Sequence, residues 1–361
     1  MKKILFNGIL FLCLLVIGCK EDITDISEFE AENSKGTDSK LNDTLYIQIN
    51  PVWDYQGFKN PQDIIIGREQ FVYVADTDND RIVMMNLDGQ VLGTRNVKRP
   101  VAIAQDHQLN LIVCAQFDTT IDAVQKTFSA VYKIKMYNAG HNISSAAMIR
   151  LLPKTSVDLV KANRSYTGVC VFADNSFYIA RTGPNNPVID PDNSILMYRH
   201  KRWFDSDTLV GRVPLLEPEG SGLMSVYNVS SLTSFNKKNS DIIVSITGNN
   251  SFKTQWLQYV SSNEFTGYVN KLSPFSTDLM SVNRFQKPEG VTIDNAGNIY
   301  IADAVKDSVF KFNSSGDELQ SFGGAGVFKE PYSVAHYDRT LFVADKGNNR
   351  ILRFILSTEL D

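Results

Sequence analysis

The sequence has few of the residues from which metal centres, disulfide scaffolds and nucleic-acid surfaces are built. Its 361 residues include only 4 Cys and 4 His, which excludes a disulfide-dense fold and leaves little material for a His-rich metal site. Lys and Arg number 36 against 40 Asp and Glu, and this near balance gives no electrostatic basis for binding nucleic acid. The apolar run at residues 4–18 is shorter than the roughly 20 residues of a membrane-spanning helix. What remains is a globular chain, 43% hydrophobic, with room for one large domain or two ordinary ones.

Residues 1–18 have the layout of a secretory signal peptide, because Lys2 and Lys3 precede the apolar run and small residues end it. The end, Val16-Ile17-Gly18-Cys19, resembles the lipobox of bacterial lipoproteins, in which the cysteine becomes the first mature residue and carries the lipids. The resemblance implies a palmitate-bearing lipid anchor at Cys19. An ordinary signal peptide with a chance cysteine is the alternative.

The residues after the cysteine predict where the protein goes. Lys20-Glu21-Asp22 resembles the surface-export signal of Bacteroidota-type lipoproteins, which implies an outer-membrane protein that faces the exterior. Retention with the protein facing the periplasm is the alternative. Residues 19–43 are acidic, rich in Ser, Asn and Asp, and without hydrophobic periodicity, so they predict a flexible tether.

Three segments repeat the same pattern: residues 71–82 (FVYVADTDNDRI), 299–309 (IYIADAVKDSV) and 341–351 (LFVADKGNNRI). Each has a β-branched and aromatic run, then Ala-Asp, a polar turn and a second apolar run, which predicts a β-hairpin. Strands led by Pro61, Pro288 and Pro331 precede them, and a fourth short strand follows the first two. Four short strands in about 40 residues form the unit of a β-propeller blade.

The repeat resembles the NHL repeat of six-bladed β-propellers, most clearly at residues 288–303 (PEGVTIDNAGNIYIAD). Residues 100–280 depart from the pattern but keep its strand rhythm. We therefore expect further blades at 100–152, 166–216 and 226–285, with insertions at 117–128, 183–193 and 248–266. In the fourth blade, residues 241–247 and 267–272 are expected as inner strands.

The last blade lacks a strand, because only three strand patterns follow Pro331 before the sequence ends. Residues 44–50 alternate as a strand should and have no partner of their own. Pairing them onto the last blade would close the ring and remove two exposed sheet edges. The predicted fold is thus an all-β, six-bladed β-propeller over residues 44–361, closed by its N-terminal strand and monomeric.

The Asp of each Ala-Asp pair has a structural explanation. Asp76, Asp303 and Asp345 end a strand before a polar turn, where a carboxylate accepts backbone N–H groups. Arg81 and Arg350 follow five positions after two of them and can pair with a carboxylate. Recurrence in every clear repeat favours a role in the turn, because a catalytic group is needed only once.

Two oxygen-rich segments, residues 76–80 and 190–193, are candidates for calcium. The first lacks the Gly and Glu that complete a calcium loop, and a solvated insertion explains the second. The four His fall outside any metal-ligand spacing: His107, His141, His200 and His336. We expect no metal or other cofactor, with calcium as the alternative.

The mouth of the propeller channel is the expected ligand site. Calcium-dependent lactonases with a similar propeller use Glu, Asn and Asp there, and the resemblance points to Glu289 at the start of an innermost strand. The corresponding positions in other blades are Gln62, Val101, Tyr332 and Tyr166. One carboxylate with an amide and aromatic rings is a weak metal set but a reasonable set of ligand contacts.

Residues 198–204 (YRHKRWF) form the one basic and aromatic cluster that stands out. A strand edge with solvated charges is the favoured interpretation, and a carbohydrate- or partner-contacting loop is the alternative. Cys114 and Cys170 lie in apolar strand patterns, which favours buried thiols over a disulfide.

The expected function is that of a lipid-anchored, exported propeller that binds a glycan or a partner protein at the cell surface, or serves as a scaffold there. The alternative is a lyase, lactonase or glycan-cleaving enzyme with a metal-dependent site in the channel. An enzyme needs carboxylates or His that converge at the channel mouth, and the sequence shows an aromatic and polar set more clearly.

Overall fold

The computed structural model describes residues 45–156, 158–235 and 237–359, and these form an all-β molecule. The predicted signal peptide, the predicted tether, and Cys19, Lys20, Glu21 and Asp22 lie outside the described residues. Six four-stranded antiparallel sheets make up the fold, each a blade of a six-bladed β-propeller. This confirms the predicted fold class.

Blades one to five each consist of four consecutive strands. Blade one has β2 (Pro61–Ile66), β3 (Val72–Asp76), β4 (Arg81–Met85) and β5 (Val91–Asn96). Blade two has β6 (Ala102–Gln105), β7 (Leu111–Ile121), β8 (Val124–Lys135) and β9 (Ala147–Leu152). Blade three has β10 (Ser165–Val171), β11 (Phe177–Thr182), β12 (Ser194–Lys201) and β13 (Ser206–Arg212). Blade four has β14 (Val229–Ser234), β15 (Ile242–Ile246), β16 (Thr254–Ser261) and β17 (Thr266–Asn270), and blade five has β18 (Pro288–Ile293), β19 (Ile299–Asp303), β20 (Ser308–Phe312) and β21 (Glu318–Gly323).

Blade six joins the two ends of the described chain. Its strands are β22 (Pro331–Tyr337), β23 (Thr340–Asp345), β24 (Arg350–Leu356) and, outermost, β1 (Tyr46–Trp53). β1 runs antiparallel to β24, with Tyr46 opposite Leu356 and Ile47 opposite Ile355. The predicted closing strand is therefore confirmed, and it extends past residue 50 to Trp53.

The hydrophobic core consists of six clusters, and each lies between two neighbouring blades. The second strand of a blade is buried on both faces, which is why β3 (VYVAD) and β19 (IYIAD) read as continuous apolar runs. The outermost strands face solvent on one side and alternate, as in β21 (ELQSFG). Six short 3₁₀ helices lie among the described residues: Thr77–Asn79, Tyr137–Ala139, Asp158–Val160, Arg202–Phe204, Lys346–Asn348 and Ser357–Glu359.

The fourth blade differs from the sequence prediction. Residues 267–272 were expected as an inner strand, but β17 is the outermost strand of that blade. The third strand is β16, which lies inside the expected insertion 248–266, because Trp256 and Leu257 are buried against the core. The insertion expected at 117–128 is a continuation of the β7–β8 hairpin, whereas 183–193 is a loop as expected.

The innermost strands contact one another around a ring: β2, β6, β10, β14, β18 and β22. We call the face where these strands begin the start face and the face where they end the end face. Because strands alternate in direction within a blade, β1 begins on the end face. No helix among the described residues is long and apolar enough to cross a membrane.

Candidate functional site

A ring of six residues, one from each blade, narrows the central channel. In five innermost strands the pairing with the second strand shifts by one residue near the strand start, so that one residue bulges out of the ladder. The bulged residues and the matching residue of blade two line the cavities on both sides: Gln62, Val101, Thr167, Ser230, Glu289 and Tyr332. We call this set the channel ring.

The channel ring contains Gln62, Glu289 and Tyr332, as the sequence comparison between blades indicated. In blade three the equivalent residue is Thr167, because Tyr166 pairs with Arg181 as Pro61 pairs with Asp76. The assignment of Tyr166 to that position is thus one residue off. Tyr166 nevertheless lines the start-face cavity together with the other three candidates, and their role as ligand contacts stays a prediction.

The start-face opening is a cavity of about 320 Å³ with many uncharged polar groups. Among the described residues, none forms a hydrogen bond with the side-chain amides of Gln62, Gln116 or Asn228. Hydroxyl groups and two tyrosine rings complete the polar lining: Ser129, Ser165, Thr167, Thr182, Ser230, Thr247, Tyr166 and Tyr332. The three amides can both donate and accept hydrogen bonds, whereas the hydroxyl groups of Ser129, Thr167, Ser230 and Thr247 already donate to backbone carbonyls and can only accept.

The charges at this opening are paired. Glu289 is buried, at 6% exposure, and its Oε1 lies 2.7 Å from Lys287 Nζ. The Tyr332 hydroxyl bonds to Glu289, and burial together with that carboxylate raises the pKa of Tyr332. Arg99 Nη1 lies 2.7 Å from Asp78 Oδ1. The opening therefore presents no unpaired charge from these groups.

Asp63 lies one residue beyond the channel ring, where other blades have a small residue such as Gly168, Gly290 or Ser333. Ser333 Oγ donates to Asp63 Oδ1 at 2.6 Å, and Ile103 N donates to Oδ2 at 2.6 Å. Burial raises the pKa of Asp63 to about 6, and these hydrogen bonds oppose the rise only in part. Sequence reasoning missed Asp63, although a carboxylate at a position of small residues was a usable signal.

We expect Asp63 to make stability depend on pH. Its folded pKa of about 6 exceeds the unfolded value of about 3.9, so the folded state binds more protons between those values. The wild-type free energy of unfolding should therefore fall, relative to that of Asp63→Asn, as pH rises from about 4 to about 6. Urea unfolding of both proteins across this range measures the difference, with the exposed Asp317→Asn as the matched control. The assignment would be contradicted if the free energies of unfolding of the wild type and Asp63→Asn differed by the same amount at about pH 4 and at about pH 6.

The end-face opening has the larger cavity volume of the two, about 780 Å³, and charges of both signs line it. Arg68 Nη2 lies 3.0 Å from His107 Nε2, and burial together with Arg68 lowers the pKa of His107. Lys237 and Lys238 line this opening as well, as do Asp294 and Asp338.

The recurring aspartates are buried and saturated with donors. Asp76 accepts hydrogen bonds from Lys59 N at 2.7 Å and Arg81 Nε at 2.6 Å. Asp345 repeats this with Lys329 N and Arg350 Nε, both at 2.7 Å. The sequence pattern predicted backbone donors from the turn that follows each Asp. For Asp76 and Asp345 the donors belong instead to the loop that leads into the blade. Asp303 accepts from both segments: Gln286, Lys287, Val305 and Lys306.

The two calcium candidates carry basic partners. Asp190 bonds to Lys161, Arg164 and Arg181, which lower its pKa although partial burial opposes this. Asp192 accepts from Arg164 Nε at 2.5 Å. No group of three or more His, Cys, Asp or Glu among the described residues is placed to hold a metal ion.

The two strand cysteines are free thiols. Cys114 and Cys170 are both buried, and burial raises the pKa of each thiol. The expectation of buried thiols is therefore confirmed.

Comparisons with known proteins identify the fold class. No protein-family model matches the chain, and no curated protein matches it. It is similar in structure to an auxiliary nutrient binding protein from Bacteroides thetaiotaomicron, at 10% identity and TM-score 0.56, over 86% of this chain and 73% of that one. A second auxiliary nutrient binding protein, from Bacteroides ovatus, has 11% sequence identity and a TM-score of 0.55, over 83% of this chain and 70% of that one. The PQQ-bound aldose sugar dehydrogenase from Streptomyces coelicolor has 12% sequence identity and a TM-score of 0.54, over 87% of this chain and 98% of that one. At these identities the likeness shows a propeller fold shared by binding proteins and enzymes.

Proposed function

We propose that this chain is a lipid-anchored, exported β-propeller of NHL type that binds a carbohydrate at its start-face opening. The observation that carries the proposal is the lining of that opening, in which three side-chain amides without a hydrogen-bond partner among the described residues lie beside two tyrosine rings and paired charges. Cys19 would carry the lipid, and Lys20, Glu21 and Asp22 would direct the protein to the outer face of the outer membrane.

A sugar is the ligand class that matches this lining. Its hydroxyl groups both donate and accept hydrogen bonds, as amide and hydroxyl side chains do. Its C–H faces pack on aromatic rings, which Tyr166 and Tyr332 supply at the opening. A cavity of about 320 Å³ is at the small end of ligand sites, which favours a short glycan segment or a chain end.

Glycan capture at a cell surface also agrees with two of the structural neighbours, which are described as auxiliary nutrient binding proteins. The likeness in fold does not carry their ligands to this chain. It supports a binding role because the same scaffold serves that role in them.

We expect Gln62→Ala to weaken glycan binding about twofold to tenfold, because one hydrogen bond to a neutral group contributes about 0.5–1.5 kcal/mol. A glycan array would identify the ligand, and calorimetry would give the dissociation constants. Gln90→Ala removes an exposed amide from an end-face turn and is the matched control.

Two results would contradict the proposal. One is a glycan that binds the Gln62→Ala and Gln90→Ala variants with the same affinity. The other is stoichiometric calcium or zinc in the purified protein that Glu289→Gln abolishes, which would favour the metal-dependent enzyme.

A further inference from the structure

The end face carries a protruding aromatic turn in blade three. Residues 201–205 (KRWFD) connect β12 to β13, and we call them the aromatic turn. Trp203 is 94% exposed and Phe204 is 78% exposed, while Lys201 and Arg202 are exposed beside them. Two adjacent aromatic side chains this exposed form an apolar patch of the kind that marks an interaction site.

The aromatic turn is held by ionic contacts with blade two. Lys135 Nζ lies 3.0 Å from Asp205 Oδ2 at the tip. Just below, buried Lys133 lies 2.9 Å from Asp207 Oδ2, and His200 Nδ1 lies 2.9 Å from Asp207 Oδ1. Because these contacts fix both ends of the turn, the aromatic pair projects from a defined place on the end face.

The N-terminal segment joins the molecule on the same face. β1 begins at Tyr46, opposite Leu356, and Leu45 N donates to Ser357 Oγ at 3.0 Å. Leu45, where the described part of the chain begins, thus lies at the end face of blade six. In a ring of six, blades three and six are diametrically opposite.

We propose that the end face rests on a lipid bilayer, with the aromatic turn among the lipid headgroups and the Cys19 tether as a second attachment across the ring. The inference rests on the lipid anchor of the proposed function. Trp and Phe partition to the membrane interface, and Lys201 and Arg202 would reach the lipid phosphates. The aromatic turn would add an interfacial contact to the lipid anchor at Cys19. The start-face opening would then point away from the membrane.

The start face has its own exposed apolar pair, Val188 and Ile189, each 90% exposed. This pair is aliphatic and precedes Asp190, whose carboxylate bonds to Lys161, Arg164 and Arg181. It lacks the combination of aromatic rings and free cations that suits an interface. It provides a matched control on the opposite face.

Tryptophan fluorescence tests the inference on the full, lipidated chain reconstituted into vesicles of phosphatidylethanolamine and phosphatidylglycerol with brominated acyl chains. The chain has 3 Trp, and Trp53 and Trp256 are buried, so contact with lipid reports on Trp203. We expect quenching of about one third of the emission, and none in Trp203→Phe. In the Trp203→Phe background, the Ile189→Trp reporter should stay unquenched.

Anchoring and glycan binding are measured separately, by flotation of the vesicles and by calorimetry in detergent. Vesicles that float with the protein but leave Trp203 unquenched would overturn the inference alone. Quenching of the Ile189→Trp reporter, or a Trp203 emission shift caused by soluble glycan and not by lipid, would overturn it too. Failure to float would overturn it together with the lipid anchor, while the glycan affinity tests the start-face site independently.

Discussion

Trp53→Ala should lower the free energy of unfolding by about 3–5 kcal/mol, the usual loss for a buried tryptophan. Trp53 is fully buried at the end of β1, with its ring centroid 5.7 Å from that of Phe342 in blade six. Its indole also lies against Gly89 of blade one. The residue therefore seals the interface between the first and last blades, and equilibrium unfolding in urea measures its contribution.

Trp203→Ala is the matched control, because the same change at an exposed position should alter stability by only about half a kcal/mol. Deleting residues 45–53 is the stronger test of closure, since it would expose the edge of β24 and uncover the aromatic cluster around Tyr46. A deletion variant as stable as the wild type, or equal effects at Trp53 and Trp203, would contradict closure by β1.

Gly290→Ala should be the most damaging small substitution in the channel. A Cβ at Gly290 would lie 2.6 Å from the carbonyl oxygen of Tyr332 and 2.7 Å from Ser333 Cα, so the backbones of blades five and six would have to separate. We expect a loss of about 1–3 kcal/mol or more from overpacking, measured by urea unfolding. Because Glu289 and Tyr332 lie on the strands that must move, the proposed glycan binding at the start-face opening should weaken as well.

Gly326→Ala provides the comparison for that change. No heavy atom lies within 4 Å of a Cβ built there, so its stability should stay close to that of the wild type. If both alanine variants unfolded at the same urea concentration, the innermost strands would not be packed as closely as the structure has them.

The sequence pattern was sufficient for the architecture because three blades repeat a local signal and the rest of the chain keeps the same strand rhythm. The proline-led strands and the Ala-Asp turns mark blades one, five and six, and the unpaired strand before Pro61 predicts the closure. Blade four was harder, since β16 (TQWLQYVS) mixes apolar and polar residues in a segment that resembles an insertion. Its place as third strand depends on pairing with β15, which no local pattern encodes.

The sequence predicted the types of residue at the candidate site better than it predicted which position of each innermost strand faces the channel. Gln62, Glu289 and Tyr332 follow a proline, and that landmark fixes their position in the strand. Blade three has no such proline, so the bulge that selects Thr167 over Tyr166 could not be located from the sequence. The amides of Gln116 and Asn228 come from other strands and loops, and only the closed ring brings them to the opening.

The pairing of β1 with β24 also sets the order in which the protein can be completed. Tyr46 and Leu356 are partners at opposite ends of the described chain, so the last blade cannot form until β24 has been synthesised. Contacts this distant in sequence form slowly. Blades one to five contain only pairings between consecutive strands, so they can form first, and closure of the ring is the step that has to wait for β24.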